Sequence, residues 1–250
     1  MARRMTLEGA KVLGVSEIMP YSNGLNRNIV QCLNDFSIPL RLHNTVTKVY
    51  GRYKLEGIDI SDVDSSFKPI PSSTQHISCD TLLLSVGLYP YNTLLNNAGA
   101  SSYVKTKGAF VNQFLETSIP GVFSCGNVLQ VHDLVDKVSK EGTLAGKNAA
   151  DYVLSKRGKR IKRLFTNASD NLSYLLPNIV EVYSDTSEVR FSFRVKKPIK
   201  KGNIIFYDSD KIIYNVTKNF LAPSEMVTIS LKDINFASYE EIDVKVEEVE

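Results

Sequence analysis

The sequence predicts an α/β first part followed by an all-β, sandwich-like last part, and three observations carry that prediction. Helix-like and strand-like segments alternate over the first eighty or so residues. Residues 81–87 form a continuous apolar stretch closing on a glycine, the pattern of a strand covered on both faces. Beyond residue 157, short runs of alternating apolar and polar residues recur roughly every 8–12 residues.

In order, residues 1–8 are good helix formers ending at Gly9, a normal C-terminal stop. Residues 11–18 read as a short buried strand closed by Met19-Pro20. Ile29, Val30, Leu33 and Phe36 fall at helical spacing, predicting an amphipathic helix over residues 26–36. Strands are expected at 40–42, 46–50, 55–60 and 77–86, with a turn-rich stretch at 62–73. A short helix over 93–98 and a turn and hairpin region over 99–112 follow, then a second apolar strand, 119–127, also closing on glycine. Next comes a long helix over about 134–154, whose small residues Gly142, Ala145, Gly146 and Ala149 allow close packing. Residues 156–163 hold six basic side chains in eight positions and read as a solvated linker. Strands are then expected at 189–195, 204–207, 211–216, 226–231 and 242–246.

Composition narrows the function. Of 250 residues, 43% are hydrophobic and 23% charged, which is ordinary globular usage and excludes a disordered chain. A net charge of +3 carries no global signature of nucleic-acid binding. Cys32, Cys79 and Cys125 form no CxxC pair, which excludes a zinc ribbon or a local redox disulfide. This sparse, odd set fits a reducing cytoplasm. The apolar runs are shorter than the roughly 20 residues of a membrane helix, and no apolar stretch follows the charged start. A cytoplasmic protein is expected.

Two glycines, Gly87 and Gly126, end apolar strands, either to line a ligand crevice or to cap tight turns. The words around them decide between these. Residues 79–92 (CDTLLLSVGLYPYN) and 117–128 (TSIPGVFSCGNV) resemble, in order and spacing, two segments of the pyridine nucleotide-disulfide oxidoreductase flavoproteins. The first is similar to the strand and loop returning from the NAD domain to the FAD domain, the second to the motif T-x-x-P-G-(apolar)-(apolar)-x-x-G-D that closes over the flavin ribityl chain. The resemblance covers residues 1 to about 154. It implies an incomplete, Rossmann-like three-layer FAD/NAD(P)-binding fold, with residues 1–87 the downstream part of the NAD(P) domain and 88–157 the end of the FAD domain. Residues 158–250 are then a separate β-rich domain.

The resemblance also implies site residues. Gly126 would leave room for the flavin chain, and Asn127 stands where the family has an acidic acceptor for a ribityl hydroxyl. An amide oxygen can accept that bond without charge assistance. Backbone amides near Val135, Asp136 and Lys137 would face the flavin pyrimidine carbonyl, where a helix N-terminus favours negative charge. Glu17, at the end of the second strand, would bind the adenine ribose of NAD and repel the extra phosphate of NADP. FAD and NAD(H) are therefore the implied cofactors.

No GxGxxG occurs in the sequence, so neither dinucleotide fingerprint is present. The expectation is the downstream portion of a longer or split enzyme, inactive alone, with an upstream polypeptide or a flavoprotein dehydrogenase subunit as partner. The competing expectation is a non-catalytic interaction module. Cys125 reads as a small apolar residue and no catalytic thiol is assigned; His132 is the one histidine placed to join the site, although a structural role is favoured. The basic run suits the C-terminal end of the preceding helix better than nucleic acid, and the N-x-S/T triplets at Asn167, Asn171 and Asn215 carry no weight without a secretion signal.

Overall fold

A computed structural model describes residues 1–22, 24 and 26–249. The chain divides into two compact units, Met1–Val86 and Gly87–Glu250. It is a mixed α/β protein with a sheet-rich C-terminal portion.

In the first unit, α1 (Ala2–Leu7) ends at Gly9, whose φ of 92° suits glycine. β1 (Val15–Ser16) lies parallel to β2 (Leu40–Arg41), with Val15 opposite Leu40. Between them, α2 (Asn26–Cys32) and a 3-10 turn (Asn34–Phe36) carry the amphipathic stretch, and Leu33 and Ile38 are buried. β3 (Asn44–Tyr50), β4 (Gly57–Asp62) and β5 (Gln75–Ile77) form an antiparallel sheet with β4 central. The central strand carries the buried Ile58 and Ile60, as expected where both edges are paired.

Two sequence expectations are corrected here. The strand expected over 11–18 is two residues long, because its partner β2 is equally short. The apolar strand expected to end at Gly87 does not form. Only residues 75–77 pair, and residues 78–91 make no backbone–backbone hydrogen bond among the described residues. Leu84 is 71% exposed and Val86 90% exposed. A continuous apolar strand needs pairing on its edges and cover on both faces, and no described strand supplies either.

In the second unit, α3 (Thr93–Asn97) precedes a turn region closed by a bridge between Ser102 and Ala109. The strand expected over 119–127 is replaced by a tight turn. Thr117 N–H donates to Val122 O at 2.8 Å, a single bridge joins Glu116 to Phe123, and Gly121 takes φ 76°. Pro120 lacks an N–H and its glycine neighbour reverses the chain, so no ladder extends. The chain then enters α4 (Val135–Val153), matching the long helix expected from sequence. Ala145 on α4 packs with Ala109, Val111, Leu115, Leu129, Tyr174 and Leu176 in one buried cluster.

The rest is a sandwich. β6 (Arg160–Ala168), β8 (Ile179–Tyr183), β10 (Ile199–Asp208), β11 (Lys211–Leu221) and β13 (Glu241–Glu248) form one sheet, in order β11-β10-β13-β6-β8. β7 (Leu172–Leu176), β9 (Glu188–Val195) and β12 (Val227–Lys232) form the second, with β9 central. Phe191 and Phe193 of β9 share a fully apolar core with Ile204, Phe206, Ile242 and Val244 of the larger sheet. Alternation along β9 places Val189, Phe191, Phe193 and Val195 inward.

The basic run is not a linker. Arg157 donates to Glu116 Oε2 at 2.6 Å, with its guanidinium 4.2 Å from the Phe114 ring centroid. Residues from Arg160 onward are strand β6, and Arg163 donates to Glu181 of β8 at 2.7 Å. Burial disfavours the Glu181 carboxylate, but Arg163 and Tyr183 outweigh it and hold its pKa below the usual carboxylate range. Opposite charges across neighbouring strands let a basic stretch form a sheet.

Candidate functional site

Chemistry-bearing residues gather where the 117–128 segment meets α4. Gly126 opens a 3-10 turn (Gly126–Val128) with φ 75°, a conformation a side chain rarely adopts. The turn closes on itself: Leu129 N–H and Gln130 N–H donate to Gly126 O at 2.9 and 3.1 Å.

One carboxylate holds this loop from below. Glu141 accepts from Gly126 N–H at 2.5 Å, Gln130 Nε2 at 2.6 Å and His132 Nε2 at 2.9 Å. The His132 side chain is 1% exposed. Cys125 borders the group; burial first, and Glu141 second, push its thiol pKa up, which suits an inert cysteine.

Asn127 is exposed, and its Oδ1 accepts from His132 N–H at 3.1 Å. That oxygen retains a second lone pair. At the start of α4 the N-cap residue is Leu134, which provides no side-chain cap. Val135 and Asp136, both exposed, thus lead with first-turn N–H groups that no side chain satisfies. Lys137 turns away from that end. Its Nζ donates to Asp133 Oδ2 at 2.8 Å and to Met226 O at 3.0 Å. Asp133 lies 3.6 Å from Arg194, which also donates to Val131 O and Pro223 O. Tyr174 is pushed up to about 12, burial being the main cause, so its hydroxyl stays protonated.

The structure therefore brings Gly126, Asn127, Val135, Asp136 and Lys137 into one loop–helix unit. Gly87 and Glu17 are not part of this loop–helix, and Glu17 belongs to the other unit, Met1–Val86. Gly87 takes φ 100° in the exposed, unpaired stretch, where an added Cβ would meet nothing. Glu17 is half-buried just after β1; its Oε1 accepts from Met19 N–H at 3.0 Å, and its charge contributes to raising the Tyr21 pKa after burial. Glu141 and Gln130 were missed by sequence reasoning. Their one sequence signal is a carboxylate two turns into a helix that follows a glycine turn, and this is too common to single out. Among the described residues no cluster of His, Cys, Asp or Glu is arranged to hold a metal ion. No described helix is long and apolar enough to cross a membrane.

An acceptor at Asn127, uncapped amides at Val135 and Asp136, and a left-handed glycine, Gly126, just ahead of them are groups that a flavin's ribityl chain and pyrimidine edge would take. Two dihydrolipoyl dehydrogenases are similar to parts of the chain: the mitochondrial one of Caenorhabditis elegans, 35% identical over 71 residues, and that of Thermus scotoductus, 38% identical over 79. These matches cover 28% and 31% of this chain but only 14% and 17% of those proteins. A thioredoxin reductase structure from Streptococcus pyogenes aligns over 61% of this chain and 48% of its own, with 18% identity and a TM-score of 0.35. Residues 9–148, more than half of the sequence, match a single family model, and the chain belongs to the pyridine nucleotide-disulphide oxidoreductases.

Proposed function

We propose that this chain is the downstream portion of an FAD-dependent pyridine nucleotide oxidoreductase that passes hydride between NAD(P)H and FAD and then electrons to an acceptor. The observation that carries the reading is the glycine turn at Gly126 set directly ahead of a 19-residue helix with an uncapped N-terminus. Flavin, when bound, supplies the hydride and electron chemistry; the protein supplies binding, orientation and field. Asn127 would accept a ribityl hydroxyl, and the Val135 and Asp136 amides would donate to the pyrimidine edge, aided by the helix dipole. Glu17 would accept the adenine ribose hydroxyls of NAD(H). On this reading residues 1–87 belong to the NAD(P)-binding part, 88–157 to the FAD-binding part, and 158–250 to a β domain that buttresses the flavin loop through Arg194 and Met226.

The 250 residues contain no GxGxxG, so the pyrophosphate-binding turns would come from another polypeptide stretch or a flavoprotein dehydrogenase subunit. The exposed apolar side chains of Leu83, Leu84, Val86, Leu88, Tyr89 and Tyr91, on a stretch without backbone pairing, would be a surface for such a partner, and the chain by itself would be inactive. A cytoplasmic setting fits the three free cysteines. The test is to purify the chain alone and together with a GxGxxG-bearing polypeptide that complements it. The complex should be yellow, with absorbance near roughly 450 nm, and should oxidise NADH. A complex that stays colourless with added FAD contradicts the reading.

A further inference from the structure

We infer that Glu141 is a positioning residue that sets the shape of the 126–132 loop for its cofactor, an inference resting on the flavin reading above. Three donors from three points of that loop converge on this one carboxylate: Gly126 N–H, Gln130 Nε2 and His132 Nε2. A carboxylate is the one protein side chain that accepts at both oxygens and donates at neither. A glutamine there would aim an amide N–H at one of these donors, so charge and acceptor-only chemistry are both required.

The loop already carries unpaired buried polar atoms. Gln130 Oε1, Ser124 Oγ and His132 Nδ1 are buried without hydrogen-bond partners. Releasing Glu141 would leave its three donors buried and unsatisfied as well, a cost the loop avoids by opening to water. Opening would act directly on the candidate site. Asn127 is oriented by its bond to His132 N–H, and His132 is oriented by Glu141. Glu141 acts through Gly126, His132 and Asn127.

The geometry also bears on the protonation of His132. Its Nε2 faces a carboxylate, which can only accept, so Nε2 carries a proton.

The decisive experiment compares the wild-type chain with Glu141→Gln and Glu141→Asp. Amide hydrogen exchange should be at least about tenfold faster at Gly126 and His132 in Glu141→Gln, while Phe193 and Phe206 in the sandwich core are unchanged. In the complemented complex, FAD affinity should fall about tenfold or more at an unchanged unfolding midpoint, and Glu141→Asp, which keeps the carboxylate, should recover part of the loss. Unchanged loop exchange, or a loosened loop with wild-type FAD affinity, overturns the positioning role. A wild-type complex that takes up no flavin overturns the functional reading beneath it, and the positioning role with it. Should Glu141→Gln fail to fold, nitrogen NMR of His132 in the wild-type chain decides. A proton on Nε2 supports the Glu141 contact, and an unprotonated Nε2 overturns it.

Discussion

Asp133 illustrates how single residues keep the loop before α4 attached to the sandwich. Its side chain is 7% exposed, and burial alone would disfavour the charge. Lys137 and Arg194 outweigh burial and hold its pKa below the usual carboxylate range. A depressed folded pKa means stability that is present above the unfolded value of about 3.9 and is lost as pH falls through the folded value. Asp133→Asn should therefore cost about 1–2 kcal/mol at pH 7 in urea unfolding. The gap should close as the pH drops below about 4. At Gly126, φ 75° makes any side chain strained, while the added Cβ would meet only Val138 Cγ1 at 3.5 Å, an ordinary contact. Gly126→Ala should cost about 1 kcal/mol, readable as a lower thermal midpoint, and weaken FAD binding in the complemented complex. A variant as stable as wild type would show that the turn adapts.

At the scale of elements, legibility followed how local the determining contacts are. α4 was plain in the sequence because nineteen residues without proline sustain one helix, and the small residue Ala145 sits on its buried face. β9 and β12 were plain because strict alternation fixes which face is buried. β6 was hidden because its arginines and lysines mask the alternation; Glu181 on the paired strand makes them tolerable, and no spacing rule links residues 163 and 181. The strand expected at 119–127 failed because Pro120-Gly121 outweighs the apolar residues around it. The loop motif itself was legible, but the Glu141 contact to Gly126 spans fifteen positions and depends on the path of the intervening turn. The sandwich core allows a direct check. Phe191 is fully buried, with its ring centroid 5.1 Å from that of Phe206. Phe191→Ala should destabilise this unit by about 3–5 kcal/mol in denaturant titrations, and a loss below about 1 kcal/mol would contradict a shared two-sheet core.

For the whole molecule, the residues that cover nothing are the informative ones. Leu83, Leu84, Val86, Leu88, Tyr89 and Tyr91 are all exposed on a stretch without backbone pairing among the described residues. This is the surface on which the proposed complementing polypeptide would dock. Leu84→Lys together with Val86→Lys should leave the thermal midpoint of the isolated chain unchanged, because neither side chain is packed, yet abolish co-elution with the complementing polypeptide. A fall in the midpoint would mean that the stretch supports the chain itself. The proposed flavin site is the loop and helix from Gly126 to Lys137. Its most direct test is amide hydrogen exchange of the complemented complex with and without FAD. Slowed exchange at Asn127, Val135 and Asp136, with the sandwich strands unaffected, is the predicted result; FAD that binds while those amides exchange at their original rates would place the flavin elsewhere and contradict it.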